Sequence, residues 1–269
     1  MPVASLCLLA LSTDATTFLH SLRSTRTVIV ASRPRHVVIR PTDLDKDILT
    51  KTPWDLLVLI QPPPDSPSMP PSLQLQIKTQ YHVTVGIPSK LLTTYPSRDE
   101  ALKRNTESVP LTGSLDHACN KPSSQNLELS PELVSFMDKL TTLHPGPVTM
   151  LNLLHFRHPD GKKSYYQYGQ SFVPVAGKRG GDAKLVGNVV KPRSTVGVEV
   201  DSRGGWERKE EEWWNEISIV HYPSIRHFCD MLAGEDYQEI NEKYRLSALK
   251  DTLLLCTTEF DVESASSKL

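Results

Sequence analysis

The nine residues from Val148 to Phe156 constrain the fold of this chain more than any other stretch. A strand sends successive side chains to opposite faces, and here both faces are apolar: Val148, Met150, Leu154 and Phe156 on one, Leu151 and Leu153 on the other. A sheet with one wet face would alternate apolar with polar. This strand therefore needs cover on both sides, helices on one and a second layer on the other.

Local signals set the elements around it. Ser130, with Pro131 at the first helical position and Leu133, Phe136, Met137, Leu140 and Leu143 along one side, predicts a helix that His144 to Pro147 stop. Ser164 to Arg179 carries Tyr165, Tyr168, Phe172 and Val175 at helical spacing, with Pro174 as a kink and Gly180 and Gly181 as the end. Residues 183–190 and 195–200 read as strands, and 203–212 as a polar loop. Residues 216–222 are a further strand, ended by Pro223. Ser224 is placed to cap a helix with Ile225, Phe228 and Leu232, Gly234 is its expected left-handed stop, and His227 is expected to face solvent. A second helix with Tyr237, Ile240 and Tyr244 leads into a last strand, Leu253 to Thr257. The order is βαββαβ, an α+β ferredoxin-like arrangement with its first and third strands side by side.

The first half repeats this order more weakly. Strand-like runs occupy 5–11, 27–31, 56–60 and 81–87, and Asp14 can cap a helix carrying Phe18, Leu19 and Leu22. Pro62 to Pro71 holds six prolines and reads as a stiff loop. The expected organisation is a degenerate ferredoxin-like module at 1–95, an exposed polar linker at 96–129, a barrel-forming module at 130–260 and a flexible tail at 261–269.

Charge and composition exclude some partners. Thirty basic against 31 acidic residues in 269 leave a net charge of −1, so the chain has no electrostatic footprint for nucleic acid or an anionic membrane. A small molecule or a protein is the expected partner. Cys7, Cys119, Cys229 and Cys256 lack paired metal-ligand spacing and read as reduced. Ala4 to Leu11 is too short to span a bilayer and reads as a buried strand. Ser267, Lys268 and Leu269 form a tripeptide read by the peroxisomal import receptor. The expected location is the peroxisomal matrix, with the cytoplasm as the alternative.

No phosphate-binding glycine loop, His-Glu-x-x-His or nucleophile elbow occurs, and His155 and His158 at a strand end do not make a metal face. Instead, VTMLNLLHFR, the Tyr-rich helix ending in KRGG, WNEISIVHYPS, and the segment from Tyr237 to Ala248 with Arg245 together resemble the dimeric α/β-barrel superfamily, in a branch related to EthD-like proteins and antibiotic-biosynthesis-type monooxygenases. The resemblance covers residues 130–260. It implies two ferredoxin-like sheets packed face to face, which would supply the second cover for the Val148 strand, either within the chain as a pseudo-dimer or through a homodimer. It also implies small, often aromatic substrates and no metal or flavin cofactor.

Within that frame the candidate catalytic residues are His221 as base, with Asn152 and Tyr222 polarising a substrate oxygen. Tyr168, Tyr237 and Arg245 are the candidate substrate-binding residues. The expected function is a peroxisomal, cofactor-independent enzyme of secondary metabolism that moves a proton on, or oxygenates, a small apolar metabolite. The alternative is a non-catalytic ligand-binding or oligomer-scaffold protein, in which Asn152 and His221 are satisfied core residues. A fluorescent reporter fused ahead of the intact Ser267–Leu269 end should enter peroxisomes in a eukaryotic cell, and a reporter that stays cytosolic overturns the address.

Overall fold

Strand order explains how the Val148 strand is covered twice. The computed structural model describes residues 1–63, 66–117, 127–192, 201–204 and 208–261. Its first half runs β1 (Val3–Leu11), α1 (Ala15–Arg23), β2 (Thr27–Ile39), α2 (Lys46–Lys51), β3 (Leu56–Gln61), α3 (Pro71–Gln74), β4 (Ile77–Gly86) and α4 (Ser89–Arg104). The second runs α5 (Pro131–Leu143), β5 (Val148–Phe156), α6 (Gly161–Gly177), β6 (Asp182–Val189), β7 (Glu216–Tyr222), α7 (Ile225–Ala233), α8 (Glu235–Ile240), a π-helical turn at Asn241–Arg245, α9 (Leu246–Ala248) and β8 (Leu249–Glu259). The strands close into one antiparallel barrel in the order β4-β1-β3-β2-β8-β5-β7-β6. Each half contributes four strands with its first and third at the centre, which is the ferredoxin-like order, and the barrel closes within a single chain.

Strand parity then sorts the side chains. Leu151 and Leu153 of β5, Ile217 and Ile219 of β7, and Leu253 and Leu255 of β8 point into the barrel. There they meet Leu6, Leu8, Leu57, Leu59 and Val83 from the first half. Eight strands enclose only as much space as side chains can fill, and each fully buried leucine or isoleucine contributes about 1.5–3 kcal/mol. Trp213 and Trp214 close one end, where Trp214 Nε1 donates to the Tyr81 hydroxyl at 2.8 Å and that hydroxyl donates to Asp45 at 2.9 Å. The outer faces carry helices: Val148, Met150, Val220 and Leu254 lie under α5 to α8, while Leu9, Val58 and Ile60 lie under α1.

The two halves meet at unequal seams. Along β2 and β8 the ladder runs from Ser32 opposite Glu259 to Ile39 opposite Leu254. The buried Asp251 carboxylate reinforces it by accepting the N–H groups of Thr42, Asp43 and Leu44 at 2.9, 3.0 and 2.8 Å. At the other seam Val85 lies opposite Val189 and Gly86 opposite Asn188, and Val190 N and Ser202 N donate to Thr84 O and His82 O of β4 at 3.0 and 2.9 Å.

Several local features differ from the sequence expectation. The stretch from 96 begins as helix, because α4 continues to Arg104 and packs Leu91, Leu92 and Tyr95 against the barrel-interior cluster and the side of β6. Its pattern looked polar because one buried position is Asp99. Asp14 and Ser130 do cap their helices, accepting from Thr17 N and Leu133 N at 2.9 and 3.1 Å. Ser224 does not: its hydroxyl bonds His227 Nδ1 at 2.8 Å, and His227, half-buried, also holds the Val109 carbonyl at 3.0 Å. Gly234 has φ −73°, so it is no left-handed stop. It is crowded instead, since a Cβ there would strike the Arg179 guanidinium and Asp236. Gly180, just after α6, is left-handed, at φ 70°. Pro71 turns the end of the proline run into the single helical turn α3.

In the segment expected as a polar loop, Arg203 is buried and its guanidinium lies 5.8 Å from the Trp213 ring centroid, while Arg208 pairs with Asp45 at 3.1 Å. Cys7, Cys229 and Cys256 are buried. Among the described residues no helix is long and apolar enough to cross a membrane. The expected strand at 195–200, Cys119 and the tripeptide Ser267, Lys268 and Leu269 lie outside the described residues.

The Lys184 side chain is fully buried and bonds Asp99 of α4 and Glu259 of β8, and Lys103 bridges the same two carboxylates, reaching Asp99 at 2.6 Å. Burial works to raise the Asp99 pKa, but Lys184 and Lys103 outweigh it and hold the carboxyl below its ordinary range. Its contribution to stability is therefore present above the unfolded-state pKa of about 3.9 and is lost as pH falls through the lower folded value. Removing one partner of a buried ion pair costs about 3–5 kcal/mol. Lys184→Met should lower unfolding free energy by about that amount in urea at pH 7, and a change below about 1 kcal/mol would show that the cluster does not hold α4.

Candidate functional site

The outer face of the second half is not filled. Between the sheet β8-β5-β7-β6 and the helices α6, α7 and α8 lies a cavity of about 380 Å³, within the usual size range of small-molecule sites. Small side chains open it: Ser218 and Ala183 on the sheet side, Gly169 on α6, where an added Cβ would meet nothing within 4 Å. Its walls are mostly apolar or aromatic, including Met150, Val220 and Leu254 from the sheet and Phe172, Phe228 and Met231 from the helices. A row of rings runs along α6, from Phe156 to Tyr165 (5.2 Å), Tyr168 (5.2 Å) and Phe172 (5.6 Å).

Five of the six residues singled out from the sequence line this cavity: Asn152, Tyr222, Tyr168, Tyr237 and Arg245. His221 does not. Neighbouring residues of a strand face opposite ways, so His221 and Tyr222 cannot share a wall, and His221 shares its parity with Ile217 and Ile219 inside the barrel. Burial, and then the Lys184 charge, push its pKa down to about 3. It is a neutral ring inside the barrel, and the expected base with Asn152 and Tyr222 as partners is not assembled.

The polar groups that do converge are Asn152, Ser218 and Glu216. Asn152 stands directly opposite Ser218, and Glu216, opposite Leu154, is the next residue of β7 on the same face. Such diagonal neighbours lie roughly 7–8 Å apart. Counting by twos from Tyr222 reaches Val220, Ser218 and Glu216, so parity was the available signal for this set. Glu216 is half-buried, and burial raises its pKa against the opposing charge of Lys162. Lys162 itself bonds Asn188 at 2.9 Å at the cavity mouth. Asn152 Nδ2 donates to Met150 O at a long 3.4 Å. Tyr222 is engaged in packing, its hydroxyl donating to Met231 Sδ at 3.3 Å and its ring meeting Phe228 edge-on.

The opposite wall carries donors. Tyr168 donates to the Tyr237 hydroxyl at 3.4 Å, and burial raises the pKa of Tyr165, Tyr168 and Tyr237, which keeps these phenols protonated. Arg245 belongs to the π-helical turn, a geometry frequent at functional sites. Gly161 packs so closely on the Ala248 carbonyl that a Cβ would not fit, and Ser164 Oγ donates to Tyr244 O at 3.0 Å, so the start of α6 fixes this turn. Among the described residues no three His, Cys, Asp or Glu side chains form a metal-binding group. His155 Nε2 is bonded to the Glu211 carbonyl at 2.9 Å.

No family model matches the chain, and no curated protein matches it. Among solved structures it is similar to a putative monooxygenase from Lactobacillus acidophilus, over 96% of this chain and 93% of that one, at 7% identity and a TM-score of 0.47. A putative monooxygenase from Fusobacterium nucleatum aligns over 95% and 92%, at 8% identity and a TM-score of 0.42. A protein of unknown function from Rhodopseudomonas palustris, RPA0582, aligns over 48% of this chain and 93% of its own, at 24% identity and a TM-score of 0.32.

The Glu216 carboxyl should titrate above the ordinary glutamate value of about 4.3, as followed by carbon-13 NMR of the side chain. Lys162→Met removes the opposing charge and should move the titration higher still. A midpoint at or below the ordinary value would show that water reaches the carboxyl freely.

Proposed function

We propose that this chain is a cofactor-independent enzyme that transfers a proton on a small, largely apolar metabolite held in the cavity between helices and sheet. The observation that carries the reading is Glu216, a carboxyl whose pKa burial raises, on the wall of an apolar cavity beside Asn152 and Ser218. Raising a carboxyl toward neutrality suits it to take up and return a proton.

In the proposed step the Glu216 carboxylate removes a proton from a carbon next to a substrate carbonyl. The electron pair of the C–H bond moves into the carbon framework and the negative charge develops on the carbonyl oxygen. Asn152 Nδ2 and the Ser218 hydroxyl, on the same wall, donate hydrogen bonds to that oxygen. Glu216, now neutral, returns the proton to a different carbon and completes an isomerisation. If dioxygen is the second substrate, the same carbanion is the species it oxidises. A peroxisomal setting in secondary metabolism belongs to the same proposal and rests on sequence alone.

Small molecules from cells lacking the gene, compared by mass spectrometry with those of the parent, should show an accumulated precursor and a missing product. With that precursor as substrate, Glu216→Gln should lower turnover about 100- to 10,000-fold, while His221→Gln leaves it within a few-fold. Equal losses in both variants would remove Glu216 as the base, and an unchanged metabolite profile under several growth conditions would favour a binding protein.

A further inference from the structure

The cavity has two chemically different walls. The Glu216 carboxyl, Asn152 and Ser218 lie on the sheet, whereas the helix side presents phenols and the Arg245 guanidinium. Arg245 is 2% exposed and its guanidinium is a donor at every polar position. Tyr237 is 0% exposed; its oxygen accepts from Tyr168, and its own proton has no acceptor among the described residues. Tyr165, on α6, lines the same cavity and likewise makes no hydrogen bond to a described residue. A buried phenol proton without an acceptor costs free energy that a ligand oxygen would recover, whereas Arg245 already donates to Asn241 Oδ1 at 3.5 Å and brings its charge.

Resting on the reading of this cavity as a small-molecule site, we propose that its helix wall is an anion subsite. The ligand is an apolar, ring-bearing molecule with one carboxylate, seated on the Arg245 guanidinium and the hydroxyls of Tyr165 and Tyr237. A forked guanidinium matches a carboxylate geometrically. The aromatic row Phe156, Tyr165, Tyr168 and Phe172 offers faces and edges for the ring. Ser218 and Glu216 line the same cavity, and the far end of such a ligand is assigned to them. The carboxylate is thus a handle that aims the reacting carbon and is not itself changed.

The test compares binding of 2-naphthoate and of its neutral isostere 2-naphthamide by calorimetry at pH 7.5, in the full-length protein and in Arg245→Gln. The expected result is that the wild-type protein binds 2-naphthoate about 10- to 100-fold more tightly than 2-naphthamide. Arg245→Gln should abolish the preference, and Arg245→Lys should retain part of it. Equal binding of both probes by the wild-type protein overturns the anion subsite and leaves the cavity reading intact. A preference that survives in Arg245→Gln also overturns it, because the charge is then read elsewhere. If neither probe binds, both the subsite and the small-molecule reading of the cavity fall. The wild-type comparison stands even if Arg245→Gln does not fold.

Discussion

Closure of the barrel is the constraint on which the remaining structure depends. Each half has central strand positions apolar on both faces, in β1 and β3 of the first and in β5 of the second. Helices can cover only one face. The other face is covered by the partner sheet, so neither half buries its strands alone, and the interior fills with residues such as Leu6, Leu59, Leu153 and Ile219 from both. The ladder between β2 and β8 and the Asp251 carboxylate hold one seam. At the opposite seam α4 and the Lys184 cluster add to the pairing of β4 with β6.

Because the interior is filled, chemistry has to sit outside the barrel. The two halves are not equivalent in this respect. In the first, α1 drives Phe18, Leu19 and Leu22 onto Leu9, Val58 and Ile60, and the second crossover is the single turn α3. In the second half α6 and α8 are longer, and the small residues Gly169, Ala183 and Ser218 keep them from closing on the sheet. One strand order thus gives a packed face in one half and a cavity in the other, through helix length and side-chain volume.

Position within the cavity then sets electrostatics. Apolar walls lower the local dielectric, which raises the pKa of Glu216 and keeps the phenols of Tyr165, Tyr168 and Tyr237 protonated. The same burial acts in the opposite direction on His221, where it disfavours the cation. A carboxyl and an imidazole only five residues apart in one strand therefore end with contrary shifts, the carboxyl raised and the imidazole lowered.

Much of the fold was legible along the chain, because short-range periodicity encodes it. The two-faced run Val148–Phe156, the capping residues Asp14 and Ser130, and the βαββαβ order follow from spacing and backbone chemistry. Asn152, Tyr168, Tyr237 and Arg245 were recognisable as polar or aromatic groups on elements that pack together. Parity along β7 also carried enough information to separate His221 from Tyr222 and to bring in Glu216. What the sequence could not determine is what lies across space. The burial of Asp99 depends on Lys184, 85 residues away, and looks like linker polarity until the two meet. Whether an outer face closes or opens depends on the volumes of residues from four strands and three helices together. Residue types and spacing decided the elements; only the tertiary structure decided which side chains share a wall, because burial and pKa are properties of surroundings assembled from distant parts of the chain.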